Sequence, residues 1–354
     1  MEAANFYYFY KMGFNYNNEK NIAVIELSSS GIKTISASPF HIRKKHDLSK
    51  FSDNRKEIFN LFEFIDKNQN LNLKKFKKEL LPKIIKHYSL LRNSRRPQAF
   101  SIVATGYYRT VNNSEEIISL LKTSIEQLSR GNSFLVKLLS IEEESRLSFM
   151  SWYNTYKFSV NEKKIFCVDN INKLIGLNID IGGSTTEVSL LKNVNNFSNT
   201  ISLVTEITKI SETLSKKENI KSKEINDLMY SIGSSTLDLL STNFIRNEKI
   251  DYCVVSGSNI LYREEYSSLN TSKKSGRKNI DIQTTLLKEQ LITYRILEQN
   301  EKVKIIKHIL SLTVLKMILG YIKIEEYYPN QANLRVGCYY EMMTKLRNNE
   351  DPYS

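Results

Sequence analysis

The feature that most restricts the fold is an apolar strand, a turn of small residues and a second strand, and the chain contains it twice. Ile22–Leu27 and Ile32–Ala37 flank Ser28-Ser29-Ser30-Gly31, and Lys173–Asp180 and Thr186–Leu191 flank Gly182-Gly183-Ser184-Thr185. Gly and Ser accept turn conformations that bulkier residues resist, so each segment predicts a β-hairpin. Ala99–Thr105, Phe134–Leu139 and Asp251–Val255 read as further strands. Apolar residues at helical spacing predict helices over Lys56–Ile65, Leu73–Arg92, Ser114–Gln127, Ile141–Tyr156, Asn226–Phe244, Ile282–Glu298, Lys302–Ile322 and Asn333–Arg347. A duplicated α/β unit with one hairpin in each copy predicts two lobes around a cleft. The expected division is a tail over 1–20, a first lobe over 21–140 and a second over 141–354. In it the last helix, about 333–347, packs back near the cleft.

Composition narrows the chemistry. At 354 residues the chain is longer than one hydrophobic core usually organises, and 5 Pro and 12 Gly exclude collagen-like repeats. No uninterrupted apolar run approaches the roughly 18 residues of a membrane span, so the expectation is a cytoplasmic chain without a membrane partner. Cys167, Cys253 and Cys338 are odd in number and far apart, and His41, His46, His87 and His308 hold no metal-ligand spacing. A disulfide framework and a zinc knuckle are excluded, and any metal is expected to be a hard, oxygen-bound ion such as Mg²⁺.

The formal charge is +13, from 51 Lys+Arg against 38 Asp+Glu. Two readings stay open: a polyanionic partner, or a compositional bias that raises Lys everywhere. Basic residues cluster at Arg43-Lys44-Lys45, Lys74–Lys78, Arg95-Arg96 and Lys273–Lys278. Leu73, Phe76, Leu80, Ile84 and Ile85 recur at helical spacing through the second cluster, which makes most of it the solvated face of a helix.

Small-residue turns after strands leave backbone N–H groups open to anionic oxygens. In Asp180-Ile181-Gly182-Gly183-Ser184-Thr185-Thr186-Glu187, Asp180 stands where it could hold a phosphate-bound metal or merely initiate the turn. Here the sequence resembles a known family. LNIDIGGSTTEVSLL is similar to the phosphate-binding hairpin of the exopolyphosphatase and guanosine pentaphosphate phosphohydrolase (Ppx/GppA) family, whose pattern is D-I-G-G-G-S-T-E. NIAVIELSSSGIKTISA resembles its opening D-L-G-S-N-S hairpin, and VATGYYRT its A-T-x-x-x-R segment. SIEEESRLSFM resembles S-G-x-E-E-A-R-L, and ANLRVGCYYEM the closing G-x-L-R-E-G-x-x-Y-E. The turn Ser256–Asn259 falls where the family has G-A-S-G-T. The matches run collinearly from about Asn21 to Met343 and resemble the short, two-domain form.

The resemblance implies a two-lobed actin-like ATPase (ribonuclease H-like) α/β fold with a duplicated domain and an interdomain cleft. It implies water attack on a terminal phosphoanhydride of polyphosphate or a guanosine phosphate, with Mg²⁺ offsetting charge. By the same resemblance Glu144 activates the water with Glu187 beside it, and Asp180 holds the metal. Arg109 clamps phosphate, and Ser29, Ser30, Gly182, Gly183, Ser184 and Thr185 cradle it. Arg335 is expected to tie the last helix to the cleft rim. No specific nucleic acid is expected, and a homodimer is left open. Several positions depart from the family pattern: Glu26 for Asp, Ser28 for Gly, Ser30-Gly31 for Asn-Ser, and Ser184 for Gly. These erode the first-lobe cradle, so a binding module without turnover stands beside the hydrolase. A sugar or acetate kinase of the same superfamily fits the E-E-x-R-L and A-T-x-x-x-R segments less well.

Overall fold

The computed structural model describes residues 21–38, 52–129, 133–159, 174–193, 196–244, 249–257, 275–293, 297–330 and 333–353. The tail 1–20, Arg43–Lys45, Lys273-Lys274 and Ser258-Asn259 lie outside them. Two sheets repeat one topology. The first contains β1 (Ile22–Ser28), β2 (Gly31–Ala37), β3 (Ser52–Ile58), β4 (Ala99–Ala104) and β5 (Leu135–Leu138), in the order β3-β2-β1-β4-β5. The second contains β6 (Gly176–Ile181), β7 (Thr185–Asn193), β8 (Asn196–Val204), β9 (Tyr252–Ser256), β10 (Ser275–Gly276) and β11 (Glu326–Asn330), in the order β10-β11-β9-β6-β7-β8. Run from the other edge, β8-β7-β6-β9-β11 matches β3-β2-β1-β4-β5 strand for strand. In each sheet a central strand pairs antiparallel with its hairpin partner and parallel with the strand on its other side. The two-lobed actin-like expectation is met.

The helices are α1 (Leu81–Arg95), α2 (Ser114–Ser129), α3 (Ile141–Ser159), α4 (Ile207–Ser215), α5 (Ser222–Asn243), α6 (Arg277–Thr293), α7 (Gln299–Ile322) and α8 (Leu334–Arg347). A π-helical stretch, Phe76–Leu80, leads into α1. β1 is buried on both faces, which explains its continuous apolar run. Ile25, Leu27 and Ile32 pack with Phe76, Ile84 and Leu121 on one side of the first sheet. On the other, Ile22, Val24 and Ile35 pack with Val336, Tyr339 and Met343 of α8. The end of the chain thus covers a face of the first sheet. Gly337 makes this possible, because a Cβ there would lie 1.9 Å from the Leu147 carbonyl oxygen of α3.

In the second lobe α7 lies in the core with Leu177, Ile179 and Val188. It is long and apolar enough to cross a membrane, but 72% of that stretch is buried inside the protein, as a core helix would be. On the opposite face, Phe149 and Trp152 of α3 pack against Leu191, Tyr252 and Tyr328.

One expected helix is absent. Over Lys56–Ile65 the chain forms the end of β3 and a 3-10 turn, Leu61–Phe64. The ladder to β2, with Lys33 opposite Lys56 and Gly31 opposite Ile58, outweighs the local apolar spacing. Ile58 is 68% exposed, whereas Leu61 is fully buried, so these residues never share a helical face.

Candidate active site

The two hairpin tips meet. Gly31 holds φ +152°, and a Cβ there would lie 2.3 Å from the Glu57 carbonyl oxygen, so β3 can close on the first turn only against glycine. In the second turn the Gly182 N–H donates to the Thr185 carbonyl (2.9 Å). The Gly183 carbonyl accepts from the Thr208 N–H (2.6 Å), and the Ser184 carbonyl from the N–H groups of Thr205 (2.9 Å) and Glu206 (3.1 Å). These bonds draw the turn's carbonyls toward the start of α4. The N–H groups of Ser29, Ser30, Gly183 and Ser184 have no acceptor among the described residues. Unclaimed donors grouped in this way can form an anion nest. Gly182, expected among the donors, spends its N–H on the turn itself. The Ser184 side chain does not block the nest. It is buried and donates its hydroxyl to Ser29 Oγ (2.6 Å), joining the tips across the lobes.

The start of α3 sorts its three glutamates. Ser140 Oγ accepts from the Glu143 N–H (3.2 Å), and Glu143 Oε2 accepts from the Ser140 N–H (3.1 Å), a reciprocal cap that also pairs Glu143 with Lys137. Ser140 Oγ in turn donates to Glu142 Oε2 (2.9 Å). Glu144 is left to face the cleft. Its Oε2 accepts from the Gly106 N–H (3.2 Å) and from Arg109 Nη1. Gly106 begins a 3-10 turn, Gly106–Arg109, that follows β4 directly and delivers the guanidinium. Arg109 Nη2 donates to Glu187 Oε1 (2.9 Å), which also accepts from Ser202 Oγ (3.0 Å). The two candidate carboxylates and the candidate clamp therefore form one buried network. Burial, followed by the charge of Glu144, pushes the Glu187 carboxyl well above the usual range; Arg109 opposes this.

Asp180 is partly open to solvent and has no ion-pair partner among the described residues. Enclosure by protein, then the charges of Glu144 and Glu26, raise its carboxyl to about 7, with Ser148 and Lys33 partly offsetting them. A cation would relieve that cost. Among the described residues no three Asp, Glu, His or Cys converge on one point. The donor set fits Mg²⁺ held by one carboxylate and completed by phosphate oxygens and water, rather than a protein cage.

Ser30 lies at the turn with its hydroxyl 3.5 Å from Ser28 Oγ, and Thr185 is buried where β7 begins. Ser256, from the third turn, is buried and accepts from Asn330 Nδ2 (2.8 Å). Sequence reasoning missed Gly106, Ser202, Thr205 and Thr208. Gly106 alone left a signal, a glycine directly after an apolar strand, and it adopts φ +55°.

The model of the Ppx/GppA phosphatase family matches residues 41–235, more than half of the chain. The chain belongs to the Ppx/GppA phosphatase family. An Aquifex aeolicus Ppx/GppA phosphatase structure has 18% identity and a TM-score of 0.59, over 90% of this chain and 97% of that one. An exopolyphosphatase from Cytophaga hutchinsonii has 10% identity and a TM-score of 0.62, over 95% and 100%. An exopolyphosphatase-like protein has 13% identity and a TM-score of 0.62, over 93% and 99%. At these identities the likeness concerns the fold. A search of the curated proteins found no match.

Against the Ppx/GppA pattern the first lobe is altered. Glu26, at the family aspartate, is buried and bound to Lys33 Nζ (2.5 Å), with Arg335 Nε 3.4 Å from its other oxygen. Burial alone would raise this carboxyl, but Lys33 and Arg335 hold it below the usual range. Arg335 also donates to the Thr34 carbonyl (3.0 Å), tying α8 to β2.

Proposed function

We propose that this family member hydrolyses phosphoanhydrides, releasing orthophosphate from the end of inorganic polyphosphate or from guanosine pentaphosphate. The observation that carries the reading is the meeting of two hairpin tips with unclaimed N–H groups beside the Glu144–Arg109–Glu187 network. The terminal phosphate would seat on the N–H groups of Ser29, Ser30, Gly183 and Ser184, displacing the Ser29–Ser184 hydroxyl contact. Arg109 would exchange a carboxylate for phosphate oxygens, which its fork of donors suits. That exchange frees Glu144 to accept a proton from the attacking water, with Glu187 orienting the same water. Asp180 is the residue that would hold Mg²⁺, whose bound charge offsets that of the phosphate oxygens. Positioning and neutralisation supply most of the acceleration in phosphoryl transfer, and this chain's own groups provide both.

One observation favours a second reading, a module that binds the anion without turnover: Glu26 is paired with Lys33 through one oxygen and lies 3.4 Å from Arg335 Nε through the other. Orthophosphate release from long-chain polyphosphate, guanosine pentaphosphate and ATP, in Mg²⁺, separates the two. Release from either of the first two supports the hydrolase. Tight binding of both without release supports the module.

A further inference from the structure

We propose that Asn178, acting with Ser145 and Ser189, is a positioning residue for Glu144: it fixes the first turn of α3 so that the Glu144 carboxylate stays opposite Asp180 and Glu187. The register of the second hairpin sets up this arrangement. Asp180 lies directly across from Glu187, and Asn178 directly across from Ser189. Residues two apart on a strand, and residues paired across a ladder, leave the same face of the sheet. One rung of that face therefore carries two carboxylates of the candidate site, and the next carries a carboxamide and a hydroxyl. Successive residues of α3 meet the two rungs: Glu144 shares Arg109 with Glu187, and Ser145 bonds to Asn178 and Ser189.

The second rung grips α3 beside the base. Asn178 Nδ2 donates to the Ser145 carbonyl (3.2 Å) and to Ser145 Oγ (3.1 Å), and Ser145 Oγ lies 2.5 Å from Ser189 Oγ. All three residues are fully enclosed, so water does not compete for these bonds. Other hydroxyls of the same helix turn back on it: Ser151 donates to the Ser148 carbonyl (2.6 Å) and Thr155 to the Ser151 carbonyl (2.6 Å). Ser145 is held by the sheet instead. Asn178 Oδ1 is buried and has no hydrogen-bond partner among the described residues. A carbonyl left in that state costs stability, so packing alone does not account for a carboxamide here. Ser145 also stands where the family pattern S-G-x-E-E-A-R-L has alanine, which makes the grip a feature of this chain.

The two lobes hold Glu144 in different ways. Gly106 and Arg109 of the first lobe bind its carboxylate, whereas Asn178 of the second binds the backbone next to it. When Arg109 turns to phosphate, the side-chain contact is given up and the backbone contact remains. Asn330 on β11 repeats the device one turn further along, donating to the Ser148 carbonyl (3.1 Å) and to Ser151 Oγ (2.9 Å), which fixes the direction of the helix. The inference rests on the proposed function in one respect, that Glu144 activates the water. Misplacing a reacting group by about 1 Å costs up to about 10²-fold in rate.

The test measures orthophosphate release by the full chain from long-chain polyphosphate and guanosine pentaphosphate in Mg²⁺. It compares wild type with Asn178→Leu, which keeps the volume and removes the donors, and repeats the comparison in a Glu144→Gln background. Asn178→Leu should lower kcat about 10- to 100-fold with KM changed less than about twofold. In the Glu144→Gln background the same substitution should change kcat less than about twofold, because no base is left to position. A merely structural role would lower turnover equally in both. Ser145→Ala deletes one hydroxyl and leaves the carbonyl bond; it should lower kcat about threefold without unfolding the protein, and it carries the test where Asn178→Leu does not fold. Hydrogen exchange reads the grip without turnover: amides of the first turn of α3 should exchange about tenfold faster in Asn178→Leu. A folded Asn178→Leu protein with wild-type kcat, or equal losses in both backgrounds, overturns the proposal and leaves the hydrolase reading standing. Absence of release by wild type ends the hydrolase reading instead. Exchange then decides the hold on α3 by itself, faster exchange sustaining it and unchanged exchange overturning it.

Discussion

Replacing Arg109 by methionine keeps most of the side-chain volume and removes the cation shared by Glu144 and Glu187. The side chains of Arg109, Glu144 and Glu187 are 14%, 10% and 2% exposed, so solvent screens the network little. Removing one partner of a buried ion pair costs about 3–5 kcal/mol, and here two carboxylates are left uncompensated. The upper half of that range, about 4–5 kcal/mol, is expected at pH 7, read as a shift in urea denaturation. The pH dependence has a definite sign. Without Arg109, whose charge opposes the rise, the Glu187 carboxyl moves further above the ordinary 4.5 in the folded state. Stability relative to wild type is then lost as pH rises above about 4.5 and regained as pH falls and the Glu187 carboxyl protonates. Arg109→Lys should recover part of the loss, because a point charge cannot reach both partners with a fork's geometry. A difference below about 1 kcal/mol at pH 7, or one that does not narrow toward pH 4.5, would refute the reasoning.

Three further outcomes are expected. Gly337→Ala places a methyl 1.9 Å from the Leu147 carbonyl oxygen and should destabilise the fold by about 3 kcal/mol or more in the same denaturation assay, by forcing α8 away from α3. Gly183→Ala would set a Cβ 2.3 Å from Thr208 Oγ1, so orthophosphate affinity by calorimetry should fall more than urea stability does, because the N–H groups of the tip are re-aimed. The protein should gain stability in the urea assay as pH rises from about 8 toward 10.5, because enclosure and the charges of Lys33 and Lys307 lower the Lys56 ammonium to about 8, so that the unfolded chain, with Lys56 at its ordinary 10.5, binds more protons than the folded one.

The hairpins were legible because their turns are built from residues with a conformational reason to be there. Gly31 and Gly183 each sit against an atom that leaves no space for a side chain. The duplication was legible for the same reason, since the same local pattern occurs twice. Lys56–Ile65 was misread because an edge strand and an amphipathic turn can share one apolar spacing, and the ladder to β2 that decides between them lies elsewhere in the chain. β11 was missed because its short run, Glu-Tyr-Tyr-Pro-Asn, gains strand character from pairing with β9. At the site, residue types were readable but their partners were not. No local signal shows that Arg109 spans Glu144 and Glu187, because that network is assembled between the two lobes, whereas the Lys33–Glu26 pair is set by the register of the first hairpin, in which the two residues lie opposite each other.

The most direct measurement of the central claim is orthophosphate release from long-chain polyphosphate and guanosine pentaphosphate in ¹⁸O-labelled water with Mg²⁺, wild type beside Glu144→Gln. Wild type should release orthophosphate carrying one labelled oxygen from solvent, and Glu144→Gln should lower turnover by about 10² to 10⁴ with substrate affinity little changed. Absence of release from both substrates, or a glutamine variant as fast as wild type, would contradict the account.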